Sequence, residues 1–142
     1  ENMAPIEVLP QLRRADYETE PSLVKLMRMS EDELASVENF TIQNKHGKIT
    51  FEGKTDLRSL DLDQIVNIQE KTVEIYPEGT EVPPVGEGLN KPAKIVFFNW
   101  ALPKKFQGAV EDYKDKLKRW ASSKDAKFVY YHPEKAELSI IV

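Results

Sequence analysis

Residues 83–90 read Pro83-Pro84-Val85-Gly86-Glu87-Gly88-Leu89-Asn90, and the chain then runs into the apolar segment Ile95-Val96-Phe97-Phe98. Two prolines fix φ and two glycines permit φ > 0, so the backbone is stiff going in and free to turn sharply coming out. The apolar run behind this stretch has the character of a central strand. A Gly-x-Gly pair can also cradle a phosphate, but that use needs a strand before it, a helix after it and a third glycine or a Gly-Lys-Ser/Thr ending. None of these stands here, so Gly86, Gly88 and Asn90 are read as structural turn residues of a crossover.

Around this crossover the hydrophobic period changes along the chain. Residues 1–16 carry Pro5, Pro10 and Arg13-Arg14 without a sustained period and read as an extended arm or a linker. The chain opens Glu1-Asn2-Met3 and not with methionine, so a piece of something longer is expected, although processing or an expression scar would look the same. Pro21-Ser22 opens a short helix through Leu23-Val24-Lys25-Leu26-Met27. Ser30-Glu31-Asp32-Glu33 fits a capping box, in which the Ser30 hydroxyl takes one orphan N–H and Glu33 reaches back to another. From Asn39 the period becomes two: Phe40 and Ile42, a turn at His46-Gly47, then Ile49 and Phe51, which is a hairpin. Leu57, Leu60 and Leu62 form a compact turn or short helix plugging one sheet edge. Ile65-Val66-Asn67-Ile68 and Thr72-Val73-Glu74-Ile75-Tyr76 are two more strands around a tight reversal at Gln69-Glu70-Lys71.

Beyond the crossover, residues 100–108 are irregular. Val110, Tyr113, Leu117 and Trp120 then recur at helical spacing within residues 109–122, with Asp115 and Arg119 as an i,i+4 pair. A terminal hairpin follows, from Lys127-Phe128-Val129-Tyr130-Tyr131 through His132-Pro133-Glu134-Lys135 to residues 138–142.

At 142 residues the chain suits a single domain, which by surface scaling buries roughly 68–70% of what its unfolded form exposes. With no cysteine, neither a disulfide framework nor a thiolate zinc site can form. No apolar run approaches the roughly 20 residues of a membrane helix. Net charge is −4 but uneven, −9 over residues 1–90 and +5 over residues 91–142. Such asymmetry can mark a basic docking face or only a solvated lysine-rich helix.

Catalytic patterns are missing. His46 and His132 each fall in a turn and have no metal-ligand spacing, and no Gly-x-Ser-x-Gly elbow occurs. Asp56, Asp61 and Asp63 lack calcium-loop spacing and read as caps or solvated acids. An RNA-binding reading would lean on Phe97, Phe98, Tyr130 and Tyr131, yet the RNP consensus is absent, the overall balance is acidic, and one aromatic of each adjacent pair should face the core. The segment Trp100-Ala101-Leu102-Pro103-Lys104-Lys105-Phe106 is more informative: an irregular loop with two lysines beside apolar groups can insert a cation and its aliphatic stem into a partner's pocket.

Residues 83–90, taken in order with Phe51-Glu52-Gly53, Leu60-Asp61-Leu62-Asp63-Gln64-Ile65-Val66 and Tyr131-His132-Pro133-Glu134, resemble the C-terminal domain of the 98-kilodalton FG nucleoporin family, a pore-docking and often autoproteolytic domain. The resemblance runs from about Tyr17 to Val142. It implies an α+β, mainly β fold: a β-sandwich-like body, with a large antiparallel-rich sheet against a small one and short helices at its flanks, over residues 17–142. In that family the loop after the central strand carries a lysine that plugs into a β-propeller scaffold nucleoporin. Its aromatic-Pro-x-Asp-Lys pattern here becomes Leu102-Pro103-Lys104-Lys105, so Lys105 is the first choice and Lys104 the second, with Leu102, Pro103 and Phe106 as companions. The departure leaves the register open, and a loop and helix shorter than the vertebrate pattern bear on partner choice.

Self-cleaving members of the family end the last strand with His-Phe followed by Ser, the serine attacking the preceding carbonyl and shifting amide to ester before hydrolysis. Ile140-Ile141-Val142 matches the strand just before that site and the His-Phe is absent from these residues; His132, across the hairpin, is no substitute. The resemblance therefore implies a tether rather than an enzyme, located at the nuclear pore complex and supporting nucleocytoplasmic transport and mRNA export, with FG repeats upstream in the same polypeptide. The alternative is a self-cleaving domain whose site lies outside or is missing from this chain. A peptide from a second scaffold nucleoporin could pair with the edge near Val142. No cofactor, metal or membrane partner is implied, and nucleic acid is disfavoured.

Overall fold

Alternation of apolar and polar residues builds strands that each offer one face to a core, and antiparallel pairing collects those faces. The computed structural model describes residues 2–142, so Glu1 of the expected arm lies outside the described residues. The strands are β1 (Glu18–Glu20), β2 (Val37–Gln43), β3 (Gly47–Thr55), β4 (Val66–Gln69), β5 (Thr72–Ile75), β6 (Lys94–Phe97), β7 (Lys127–His132) and β8 (Glu137–Ile141). Six of them form one antiparallel sheet in the order β1-β2-β3-β6-β8-β7, while β4 and β5 form a separate hairpin. The helices are α1 (Leu23–Met27), α2 (Glu31–Leu34), α3 (Leu62–Ile65) and α4 (Val110–Ser123). This is the α+β, mainly β arrangement of a large and a small sheet with short helices that the resemblance implies.

The register explains the core. Ile42 stands opposite Ile49, Ile49 opposite Ile95, Ile95 opposite Ile140 and Ile140 opposite Phe128, one apolar row across five strands. Phe97, Leu138 and Tyr131 make the neighbouring row. Phe128 and Tyr131, three apart, share a face only because a bulge between Phe128 and Tyr130 inserts one extra residue into β7. Phe97 and Tyr131 are accordingly buried, whereas Phe98 and Tyr130 stay half-exposed.

The small hairpin and α4 cover this face. A Cβ added at Gly47 would lie 2.9 Å from the Val96 carbonyl oxygen and 3.4 Å from Ile68 Cγ2, which measures how closely β4 approaches the sheet. From α4, Tyr113, Leu117 and Ala121 are buried, and Trp120 meets Phe97 edge-on at 6.3 Å. Asp115 pairs with Lys118 at 3.9 Å and not with the expected Arg119.

Local signals produce the connections. The Ser22 hydroxyl caps α1 by accepting the Lys25 N–H, and the capping box at α2 is complete, with Ser30 Oγ accepting the Glu33 N–H at 3.1 Å and Glu33 Oε1 accepting the Ser30 N–H at 2.9 Å. Ile65, expected to open a strand, is the last residue of α3, and its carbonyl accepts the Tyr76 N–H at 2.7 Å. The segment before Tyr17 lies along the body. Gln11 bridges Asp61 in parallel, the Arg13 and Arg14 N–H groups donate to the Asp63 carboxylate, and the Arg14 guanidinium donates to the Leu62 and Val66 carbonyls.

Candidate functional site

The loop that leaves the sheet after β6 is held by backbone bonds and buried aromatic rings. The Phe98 N–H donates to the His46 carbonyl at 2.9 Å, Asn99 takes a φ of +59°, and the Trp100 N–H reaches across to the Ala136 carbonyl at 2.8 Å. Trp100 is 7% exposed. Its indole N–H donates to the Tyr113 hydroxyl of α4 and its carbonyl accepts from the Tyr131 hydroxyl of β7, both at 2.7 Å. Burial, followed by the neighbouring Tyr113 and Glu134, pushes the Tyr131 phenol up to about 12. Tyr131 therefore remains a proton donor to the Trp100 carbonyl throughout the neutral range.

From this anchor the chain passes half-buried Leu102 and Pro103 into a single 3-10 turn, Lys104–Phe106, closed by Phe106 N–H to the Pro103 carbonyl at 2.9 Å. Phe106 turns inward, its ring 5.0 Å from that of Tyr113. Lys104 and Lys105 are exposed, and among the described residues neither pairs with a carboxylate. They differ in one respect: the Lys105 ammonium rests 5.5 Å from the centre of the Phe106 ring, which it shares with Lys116 at 5.6 Å, while Lys104 has no aromatic neighbour among the described residues. The result is a cationic tip on a fixed base, able to enter a pocket lined by carboxylates or carbonyls.

The turn residues on the other side of β6 lie apart from that tip. Gly86 has φ +94° and Gly88 φ +54°, and Asn90 Nδ2 donates to the Pro83 carbonyl at 2.8 Å. A Cβ on Gly88 would fall 2.7 Å from the Tyr76 hydroxyl, which itself accepts the Leu89 N–H at 3.0 Å. Of the two histidines, His46 donates its backbone N–H to Asn44 Oδ1, and His132 Nδ1 lies 3.3 Å from a Glu134 oxygen and its ring 4.3 Å from that of Tyr130. No group of three His, Cys, Asp or Glu side chains among the described residues could hold a metal ion. Sequence reasoning missed the pairing of Trp100 with Tyr113 and Tyr131, because the three stand in different elements, 13 and 31 residues from Trp100.

The Nucleoporin2 family model, described as the Nup98-96 autopeptidase S59, matches residues 14–142. The chain belongs to this nucleoporin family. The Arabidopsis thaliana nuclear pore complex protein NUP98A is 37% identical over 149 residues, covering 96% of this chain and 14% of its own length, so this nucleoporin domain spans about one seventh of that relative. A chain of the yeast heterotrimeric Nup82-Nup159-Nup116 nucleoporin complex superposes with a TM-score of 0.78 at 26% identity, covering 92% of this chain and 97% of that one. The C-terminal domain of the nuclear pore complex component NUP116 from Candida glabrata gives 0.75 at 30% identity, covering 93% and 92%. The relatives of this domain are thus nuclear pore complex proteins, and the family is an autopeptidase-domain family.

Proposed function

We propose that this domain docks an FG nucleoporin onto the nuclear pore scaffold by inserting a lysine of the 104–105 pair into a pocket on a β-propeller scaffold nucleoporin, and so supports nucleocytoplasmic transport and mRNA export. The observation that carries the reading is a pair of exposed ammonium groups, without a carboxylate partner among the described residues, at the end of a loop whose base is fixed by Trp100, Tyr113 and Tyr131. A fixed base lowers the ordering cost of binding, and a lysine stem buries apolar surface while its head finds acceptors. Likeness to a chain of a complex named for Nup82, Nup159 and Nup116 supports a nucleoporin as the partner. Leu102, Pro103 and Phe106 frame the tip. The edge expected near Val142 is closed, because β8 lies between β6 and β7 and Val142 exchanges both backbone bonds with Ala93, so a peptide from a second scaffold nucleoporin would have to pair at one of the sheet's edge strands, β1 or β7.

Calorimetry with a β-propeller nucleoporin tests this. Lys104→Glu with Lys105→Glu is expected to weaken binding at least a hundredfold, and binding that survives the double reversal sinks the plug. The single changes decide the register. Because Lys105 gives up its contact with the Phe106 ring on insertion and Lys104 gives up none, comparable losses from both would mean that either can enter.

The family's autopeptidase character favours a second reading, a domain that also cleaves its own polypeptide. Incubating the full-length protein at neutral pH and looking for two fragments on a denaturing gel tests it; an uncleaved chain after prolonged incubation excludes it.

A further inference from the structure

The crossover between β5 and β6 carries a second exposed surface, on the opposite side of β6 in sequence from the lysine tip. Residues 81–84 belong to no helix, strand or turn, and the rings of Pro83 and Pro84 restrict φ to near −65°, a value polyproline II shares. In that helix, with three residues per turn and a rise of about 3.1 Å, Val82 and Val85 would share one edge about 9 Å apart. Both face water, Val82 at 55% and Val85 at 87% exposure. Pro83 turns the other way, its Cγ 3.6 Å from the place a Gly88 Cβ would take and its carbonyl bonded to Asn90.

The ridge is rigid as well as exposed. The Glu87 N–H donates to the Pro84 carbonyl at 3.0 Å, with Gly86 at φ +94° in the third position, where a type II turn requires a positive φ. The Gly86 N–H donates to the Asn90 carbonyl at 2.7 Å, and the Tyr76 hydroxyl holds Leu89 from below. Glu78, Glu81 and Glu87 flank the ridge in sequence, exposed and free of ion pairs among the described residues.

We propose that residues 82–85 are a polyproline II ligand for an aromatic-lined groove with a basic rim on another protein. Flat aromatic grooves accept pyrrolidine rings and branched aliphatic side chains along one edge of such a helix, and a segment already held in shape loses little conformational freedom on docking. The three carboxylates select a basic rim and repel anionic lipid, so the partner is a protein groove rather than a membrane.

The test titrates the isotopically labelled domain with a panel of isolated SH3, WW and EVH1 domains while its amide shifts are followed by NMR. At least one is expected to give saturable shifts confined to residues 78–90. Val82→Glu with Val85→Glu should weaken that binding tenfold or more, while Lys104→Glu with Lys105→Glu leaves it within twofold. Both valines are exposed, so an unchanged melting temperature verifies that the double valine variant is folded; Pro84→Ala, which loosens the ridge and keeps both valines, should weaken binding severalfold. No saturable shift from any member of the panel, or equal affinity with Val82→Glu and Val85→Glu in place, would overturn the proposal.

Discussion

Changing Tyr113 to Phe removes one oxygen from the base of the lysine loop and leaves its packing in place. The ring keeps its neighbours Phe106 at 5.0 Å and Tyr131 at 5.3 Å, so no cavity opens. What is lost is the acceptor for the Trp100 indole N–H, 2.7 Å away in a buried site. An orphaned buried donor costs about 1–3 kcal/mol, well above the roughly 1 kcal/mol of an average hydrogen bond that water can replace. With a urea slope of about 2 kcal/mol/M, a cost of about 2 kcal/mol lowers the unfolding midpoint by about 1 M. Trp100 and Trp120 lie 5.5 Å apart and report the transition by fluorescence. A midpoint shift below about 0.25 M would refute the reasoning, because it would mean that the indole finds water once the phenol is gone. A cycle with Trp100→Phe sharpens this: removing donor and acceptor together should cost less than the two single changes summed, since no polar group is then left unpaired.

Gly88→Ala places a Cβ 2.7 Å from the Tyr76 hydroxyl at a φ of +54°, so it should displace that hydroxyl from the Leu89 N–H and lower the melting temperature by roughly 5–10 °C, more than Gly86→Ala, whose Cβ meets open space. Tyr131 titrates at about 12 in the folded state against roughly 10 unfolded; at alkaline pH the unfolded chain releases that proton first, so this group leaves stability unchanged below about pH 10 and lowers it progressively from pH 10 to 12. Urea midpoints across that range check the direction, and Tyr131→Phe should flatten the decline.

Where a feature depends on neighbours within a few residues, the sequence carried it well. Ser30 and Glu33 are three apart, and their capping box forms as read. The alternation of Phe40, Ile42, Ile49 and Phe51 gives the β2-β3 hairpin with its buried face, and Val110, Tyr113 and Leu117 give α4. One local reading did fail, Asp115 pairing with Lys118 in place of Arg119, but the failures that reshape the fold depended on distant groups. Ile65 scores as a strand residue, but Asp61 and Leu62 start a helical turn that is held by the segment before Tyr17 through Gln11 and Arg14, and a β-branched residue at its end is carried along. The bulge in β7 is equally silent in the sequence, because Phe128 and Tyr131 share a face only when their register against Ile140 and Leu138 is known. At the candidate site the two lysines stand out from their irregular loop and from the family resemblance, whereas the base that fixes them joins residues 13 and 31 apart in sequence.

The two loops that flank β6 are tied down in the same way, which follows from what the chain lacks. It has no cysteine, so an irregular segment cannot be stapled covalently. An irregular segment also leaves backbone groups without ladder partners, and those near the core need acceptors or donors from side chains. A tyrosine meets both needs, since its ring anchors in apolar surroundings while its hydroxyl reaches the loop. Tyr76 takes the Leu89 N–H under the proline ridge. Tyr131 donates to the Trp100 carbonyl and Tyr113 accepts from the Trp100 indole under the lysine tip. Tyr17 does the same where the N-terminal segment meets the small hairpin, accepting the Ile68 N–H at 2.9 Å. Each loop is thus shaped from within, and what the two proposals offer to a partner is its exposed tip: Lys104 and Lys105 on one loop, Val82 and Val85 on the other.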